Sequence, residues 1–174
     1  MTSNPMRILF ICLGNICRSP MAQTIMQHIV DEAGMTEQFH IDSAGLIGYH
    51  EGEMADDRMR AHAQRHGYRI THRSRPIRTS DFRDFDLIIG MDDANIDRLR
   101  RLSPDLETDK KIHRMMEYSS HSQEGVDHVP DPYYGGSQGF ELVIDLLEDA
   151  CQGLFQFIVI SHSVNGSYDK SHSS

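Results

Sequence analysis

Apolar positions along this chain switch between two periods. Met6-Arg7-Ile8-Leu9-Phe10-Ile11 is a short, nearly continuous apolar run with branched and aromatic side chains, the pattern of a strand buried on both faces. From Met21 to Ala33 the spacing becomes helical, with Met21, Ile25, Ile29 and Val30 on one face and an end near Gly34. Ser19 and Pro20 suit the N-cap and first-turn positions of that helix. Phe39-His40-Ile41-Asp42 predicts a second strand, and Met54 to His66 a polar helix closed by Gly67. Thr79 or Ser80 opens a short helical turn, and Phe85 to Met91 predicts a third, buried strand. Ala94 to Leu102 predicts a helix ended by Ser103-Pro104, followed by a weaker fourth strand over Lys111 to Met115. Val126 to Gly136 is a loop rich in Pro and Gly. A last helix starts at Ser137 and runs to about Ile160, with Phe140, Val143, Ile144, Leu147, Ala150, Cys151 and Leu154 on one face. Strands alternating with helices predict an α/β fold, a parallel sheet with helices on both faces.

Composition narrows the function classes. At 174 residues the chain is long enough for one domain with a real core, read here as 1–161, followed by a polar, Ser-rich tail over 162–174. No stretch approaches the roughly 20 apolar residues of a membrane span, and Met6 to Ile11 is too short for a signal peptide. Three cysteines cannot build a disulfide framework, which fits a reducing, cytoplasmic setting. A net charge of −9 with no Lys/Arg cluster argues against nucleic acid as a partner.

The chemistry concentrates in Cys12-Leu13-Gly14-Asn15-Ile16-Cys17-Arg18-Ser19-Pro20, between the first strand and the first helix. Open α/β sheets build ligand sites at such strand-to-helix turns. A loop there points successive backbone N–H groups and the positive helix end at one spot, a receptor for a phosphate-like dianion. A cysteine nucleophile acts as the thiolate, and a helix N-terminus and an arginine both favour that form at Cys12. Arg18 offers a planar fork that grips two phosphoryl oxygens at once, which lysine cannot. Ser19 is placed to give the sulfur a hydroxyl hydrogen bond. Gly14 and Asn15 tolerate the left-handed backbone angles a cradle needs. Cys-x5-Arg alone is a weak signal; the strand before it, the helix start after it and the residues between strengthen it.

This nine-residue string resembles the signature loop of the low-molecular-weight protein tyrosine phosphatases. Asp131-Pro132-Tyr133-Tyr134-Gly135 resembles that family's general-acid loop. Asp42-Ser43-Ala44-Gly45, Arg65-His66-Gly67, Ser80-Asp81-Phe82, Phe85-Asp86 and Met91-Asp92 match between them, in order. The resemblance covers roughly residues 6 to 160. It implies a four-stranded parallel sheet in the order 2-1-3-4. It also implies hydrolysis of phosphotyrosine in proteins, with release of inorganic phosphate and no cofactor or metal. Cys12 would be the nucleophile, Arg18 the phosphate clamp and Asp131 the proton donor. Leu13, Gly14, Asn15, Ile16, Cys17 and Ser19 would complete the phosphate cradle.

The same resemblance places Tyr49 and Tyr133 on the walls of the pocket, with Tyr134 beside them. It makes Ser43 and His72 braces for Asn15, puts Asp92 near the loop, and pairs Cys17 with Cys12 in a protective disulfide. Read from residue types alone, Cys17 is equally a packing residue, and Cys-x4-Cys without a second pair cannot complete a metal site. Cys151 reads as core. Two departures from the family pattern stand out. Met54-Ala55-Asp56 replaces Pro-Pro-Asp, and His72-Arg73-Ser74-Arg75 replaces His-x-Ala-Arg; both are expected to lie away from the chemistry. One rival is a thiol-dependent arsenate reductase, which needs two further relay cysteines that this chain lacks after its third strand. The other is a non-catalytic phosphoprotein-binding module, which has no need of Cys12, Arg18 and Asp131 together.

Overall fold

A computed structural model describes residues 4–120, 125–133 and 135–171, with 162–171 described by backbone alone. Strand β1 (Met6–Cys12) is central and pairs in parallel with β2 (Phe39–Gly45) on one side and β3 (Leu87–Gly90) on the other. Strand β4 (Ile112–Arg114) pairs in parallel with β3, so the order is 2-1-3-4. The helices are α1 (Arg18–Glu32), α2 (Asp57–Arg65), α3 (Thr79–Asp84), α4 (Asp93–Leu102), α5 (Leu106–Asp109) and α6 (Ser137–Ser171).

The side-chain alternation of β1 divides the core in two. Ile8, Phe10 and Cys12 face the layer built from Met21, Ile25 and Met26 of α1 and Phe140, Ile144 and Leu147 of α6. Leu9 and Ile11 face the other layer, with Phe82, Phe85, Ile96 and Leu99. Both layers bury β1, which explains its unbroken apolar run.

Several elements differ from the sequence expectation. Helix α1 starts at Arg18, and its N-cap is Cys17, which makes no side-chain cap bond; Ser19 lies inside the first turn. The Ser19 hydroxyl is drawn to the Cys12 sulfur and the Asn15 amide instead of to the helix end. Strand β2 continues through Ser43-Ala44-Gly45, because its register with β1 runs on to the Cys12–Gly45 pair. Helix α2 begins later than Met54, where Asp56 caps it by accepting from the N–H groups of Arg58 and Met59. Helix α5, capped by Asp105, and the 3-10 turns Thr36–Gln38 and Met115–Tyr118 are too short for a periodicity to register. Helix α6 passes Ile160 and extends to Ser171. Gly153, within it, has a packing reason: a Cβ there would fall on the Tyr118 carbonyl of the neighbouring 3-10 turn.

Candidate active site

The loop after β1 lies at the C-terminal edge of the sheet, where the chain places β2 on one side of β1 and β3 on the other. This is the switch point at which open α/β sheets bind ligands. The extension of β2 supports the loop from below. Leu46 N–H donates to Cys12 O at 3.1 Å, and Ile47 N–H to Leu13 O at 3.1 Å. Gly45 must lack a side chain, since a Cβ would sit 3.0 Å from Leu13 O and 3.1 Å from the Asn15 Cβ.

Cys12 is buried at the end of β1, with its Sγ 2.9 Å from the Ser19 hydroxyl and 3.4 Å from the Ser19 N–H. A first-turn helix N–H, one of the groups without a carbonyl partner in the helix, thus meets the sulfur. Asn15 holds the loop in shape. Its backbone is left-handed at φ 58°, a conformation Asn tolerates better than most residues. Its Oδ1 receives the Arg75 backbone N–H at 3.1 Å, and that donor fixes which end of the amide is oxygen. The Asn15 Nδ2 then donates to Ser19 Oγ at 2.8 Å and to Ser43 Oγ at 3.0 Å.

The bonding directions follow. Ser19 Oγ accepts from Asn15, which leaves its own proton free to point at the Cys12 sulfur. Ser43, accepting likewise, donates to Gln23 Oε1 at 2.6 Å. His72 meets Asn15 Oδ1 at 2.8 Å through Nε2, which must therefore carry the proton. Burial pushes the His72 imidazole below its ordinary pKa; Asp42, 3.5 Å from Nδ1, pulls the other way, and Arg75 adds to the depression. Ser43 and His72 thus stand behind the loop, where sequence reasoning put them.

Arg18 is 3% exposed and fully engaged on its inner edge. Nη1 donates to Asp92 Oδ2 at 2.6 Å and to Val129 O at 2.9 Å. Nη2 is 3.7 Å from Asp131 Oδ2. Burial works against its charge, but Cys12, Asp92 and Asp131 outweigh that and raise its pKa. Asp92 does two jobs: Oδ1 caps α4 by accepting from Asn95 N–H, and Oδ2 holds Arg18. The resemblance placed Asp92 near the loop without foreseeing the ion pair. It also missed Val129, which acts through its backbone: its N–H donates to Met91 O at 2.8 Å while its carbonyl receives Arg18.

These groups line one cleft of about 380 Å³. Cys12, Gly14, Cys17 and Arg18 form its floor, and Asp131 reaches in from the loop before α6. The Asp131 Oδ1 accepts the Tyr133 N–H at 3.0 Å, and its side chain is 41% exposed. Leu13, Ile16, Ile47, Tyr49 and Tyr133 make the walls apolar and aromatic. Ile47 and His50 were not foreseen; His50 packs on Gly14, edge-on to Tyr49, with Nδ1 2.7 Å from Glu53 Oε2. Tyr134 lies outside the described residues.

The three cysteines are free thiols. Burial pushes the Cys17 thiol far up, with Asp56, Cys12 and Asp131 adding to it. Cys151 is enclosed in the core, its thiol raised by burial and directed at Ala22 O, 3.7 Å away.

One of the two departures from the family pattern touches the loop, which corrects the expectation that it lies away from the chemistry. Ser74 is buried and donates its hydroxyl to Gly14 O at 3.0 Å. The backbone N–H of Asp56, the Asp that this chain shares with the pattern, donates to Ile16 O at 2.8 Å. Two carbonyls of the loop are therefore held by neighbouring segments.

The sequence model of a family described as low molecular weight phosphotyrosine protein phosphatase matches residues 7–164. A Streptomyces coelicolor protein named low molecular weight protein-tyrosine-phosphatase is 41% identical over 148 residues, 85% of this chain and 90% of that one. A crystal structure of a protein tyrosine phosphatase from Entamoeba histolytica superposes with a TM-score of 0.86 at 43% identity, covering 90% of this chain and 99% of that chain. A Drosophila structure described as an arginine phosphatase gives a TM-score of 0.81 at 31% identity, covering 88% of this chain and 98% of its own.

Proposed function

The chain belongs to the low-molecular-weight phosphotyrosine protein phosphatase family, cysteine-dependent hydrolases that work through a phosphocysteine, and we propose the following division of roles for its residues. Cys12 Sγ attacks phosphorus in line with the bond to the tyrosyl oxygen. That bond breaks as Asp131 gives its proton to the departing phenol. Arg18 and the backbone N–H groups of Leu13 to Ser19 hold the three equatorial oxygens, where transition-state charge is spread. Ser19 donates to the sulfur and so stabilises it as nucleophile and as leaving group. Asp131, now ionised, takes a proton from water, which attacks phosphorus, breaks the S–P bond and releases inorganic phosphate.

The observation that carries this reading is the convergence of Cys12, Arg18 and Asp131 on one cleft with Ser19 bonded to the sulfur. Tyr49 and Tyr133, on the apolar walls, would flank the phenyl ring of the substrate, with Tyr134 alongside. A phosphoprotein is then the partner. A cytoplasmic setting suits a protein whose three cysteines are all free. The reductase rival is weakened by Cys151, sealed in the core against α1.

The test is release of phosphate from a phosphotyrosine peptide with a chelator present, beside matched phosphoserine and phosphoarginine peptides. Phosphotyrosine should be strongly preferred, with phosphate trapped on Cys12 when turnover is stopped by rapid denaturation. Preference for phosphoarginine would overturn the substrate reading, and binding without turnover would make the protein a phosphate-recognition module.

A further inference from the structure

Helix α2 touches both halves of the site. At its start, the Asp56 backbone N–H holds Ile16 O of the phosphate loop at 2.8 Å. The Asp56 carboxylate accepts a fork from Arg58, Nε to Oδ1 at 3.2 Å and Nη2 to Oδ2 at 3.2 Å. Nη2 of Arg58 also donates to Tyr133 O at 2.9 Å. The guanidinium carbon lies 5.5 Å from the Tyr133 ring centre and 4.9 Å from that of Phe140. Tyr133 in turn gives its N–H to Asp131 Oδ1 at 3.0 Å. A continuous path therefore runs Ile16, Asp56, Arg58, Tyr133, Asp131.

The rest of α2 fixes the base of the acid-bearing loop. His62 and His66 follow Arg58 at four-residue spacing, on the same face of the helix. His62 Nδ1 and His66 Nε2 reach the two carboxylate oxygens of Glu141 in the first turns of α6, at 2.7 and 2.5 Å. His62 also stacks on Phe140, ring centres 5.4 Å apart. Residues 130–133 follow Val129, whose carbonyl is held by Arg18. Asp131 lies on this stretch, its carboxylate accepting the Tyr133 N–H and lying 3.7 Å from Arg18 Nη2.

We propose that Arg58 is a positioning residue for the proton donor, coupling the phosphate loop to Asp131 through Asp56 and Tyr133. The proposal rests on the reading of Asp131 as general acid. Arg58 suits the task because a planar guanidinium bonds Asp56 with one edge, the Tyr133 carbonyl with another, and still offers its face to two rings; an ammonium cannot. Arg58 is 47% exposed, and exposed ion pairs contribute little to stability. Its effect is therefore expected in the rate, where small misplacements of a proton donor are amplified.

The experiment compares kcat/KM for a phosphotyrosine peptide and for an aryl phosphate with a strongly acidic phenol, in the wild type, Arg58→Ala, Arg58→Lys, Asp131→Asn and the Arg58→Ala/Asp131→Asn double variant. The exposed Arg98→Ala serves as control. Arg58→Ala should cut phosphotyrosine kcat/KM by roughly tenfold and the acidic phenol ester by less than about twofold. Lysine should rescue little, because the fork and not the charge is required. Inhibition by inorganic phosphate should be unchanged, showing the cradle intact. In the Asp131→Asn background, Arg58→Ala should add less than about twofold, since its target is gone. Full rescue by lysine, equal losses on both substrates, or losses that multiply with those of Asp131→Asn would each overturn the coupling. If Asp131→Asn itself showed no leaving-group dependence, the general-acid reading would fall and this proposal with it.

Discussion

In the proposed reaction the phosphate loop and the acid-bearing loop each do one half, yet they are built in opposite ways. In the first, Cys12, Asn15, Arg18 and Ser19 are all buried, and the three polar side chains among them bond within the protein. Asn15 alone joins four partners, Ser19, Ser43, His72 and Arg75. In the second, Asp131 and Tyr133 are exposed, and their bonds include one to Arg58, one within the loop and the ion pair with Arg18. The difference follows from what each does. An anion cradle stabilises charge only if its dipoles are already aimed, so it must be rigid before substrate arrives. A proton donor must sit over a large aryl group that enters and leaves, so its loop keeps one side open to solvent.

The contrast is sharpest at the nucleophile. Cys12→Ser should abolish turnover, by roughly 10⁴–10⁶-fold, while phosphate or vanadate still binds, because the cradle is backbone and Arg18. Calorimetric titration of the anion beside a turnover assay checks both halves. Activity well above background would remove the covalent step.

On the open side, Asp131→Asn should lower phosphotyrosine kcat/KM by about 10²–10⁴-fold. An ester of a strongly acidic phenol should suffer much less in that step and show a burst of phenol followed by slow turnover, since the same carboxylate activates water. Asp127→Asn, exposed and paired with His128, should change little. Equal losses on both esters without a burst would make Asp131 a structural loop residue.

The rigid side can be taken apart at Asn15. Replacement by Ala loses the bonds and meets the left-handed backbone with a Cβ, and should cost about 2–4 kcal/mol of stability. Replacement by Gly loses the bonds alone and should recover about 1–2 kcal/mol of that. Both variants should lose roughly tenfold in kcat/KM, because the Ser19 hydroxyl loses the bond that fixes it beside the sulfur. Thermal unfolding separates the two costs; identical stabilities would show that the backbone angle carries no strain.

The smallest effect is the pH response behind the loop. The folded-state pKa of His72 lies below its ordinary value near 6.5, so as pH falls the unfolded chain takes up that proton first. Stability should drop as pH falls from about 6.5 to the lower folded value, and level off below it as far as this group is concerned. His72→Gln should flatten that part of the profile in denaturant titrations. A wild-type curve that stays flat through the window would show that folding does not depress the His72 pKa.

Some of this organisation lay open in the sequence because it is local. A buried strand, a nine-residue loop and a helix start are contiguous, so Cys12, Arg18 and Ser19 could be read together and their chemistry argued from residue types. The Asp-Pro-Tyr-Tyr string was legible only through the resemblance to the family's general-acid loop. Asp92 was half legible: the resemblance put it near the loop, while its bond to Arg18 spans 74 residues. Ser74 was misjudged because a sequence gives no distance between a departure from pattern and the loop it touches.

By itself, then, the sequence determined the alternation of strand and helix and the parallel sheet, since hydrophobic period is a property of short segments. Tertiary structure alone decided which way each proton points. The Arg75 N–H, 60 residues from Asn15, orients that amide, and the amide donates to Ser19 Oγ, leaving the hydroxyl proton free for Cys12. It alone brought Val129's carbonyl to Arg18, and Arg58 to the peptide beside Asp131. Backbone groups carry no residue-specific signal, and a hydrogen bond exists only once folding has brought its two ends within about 3 Å.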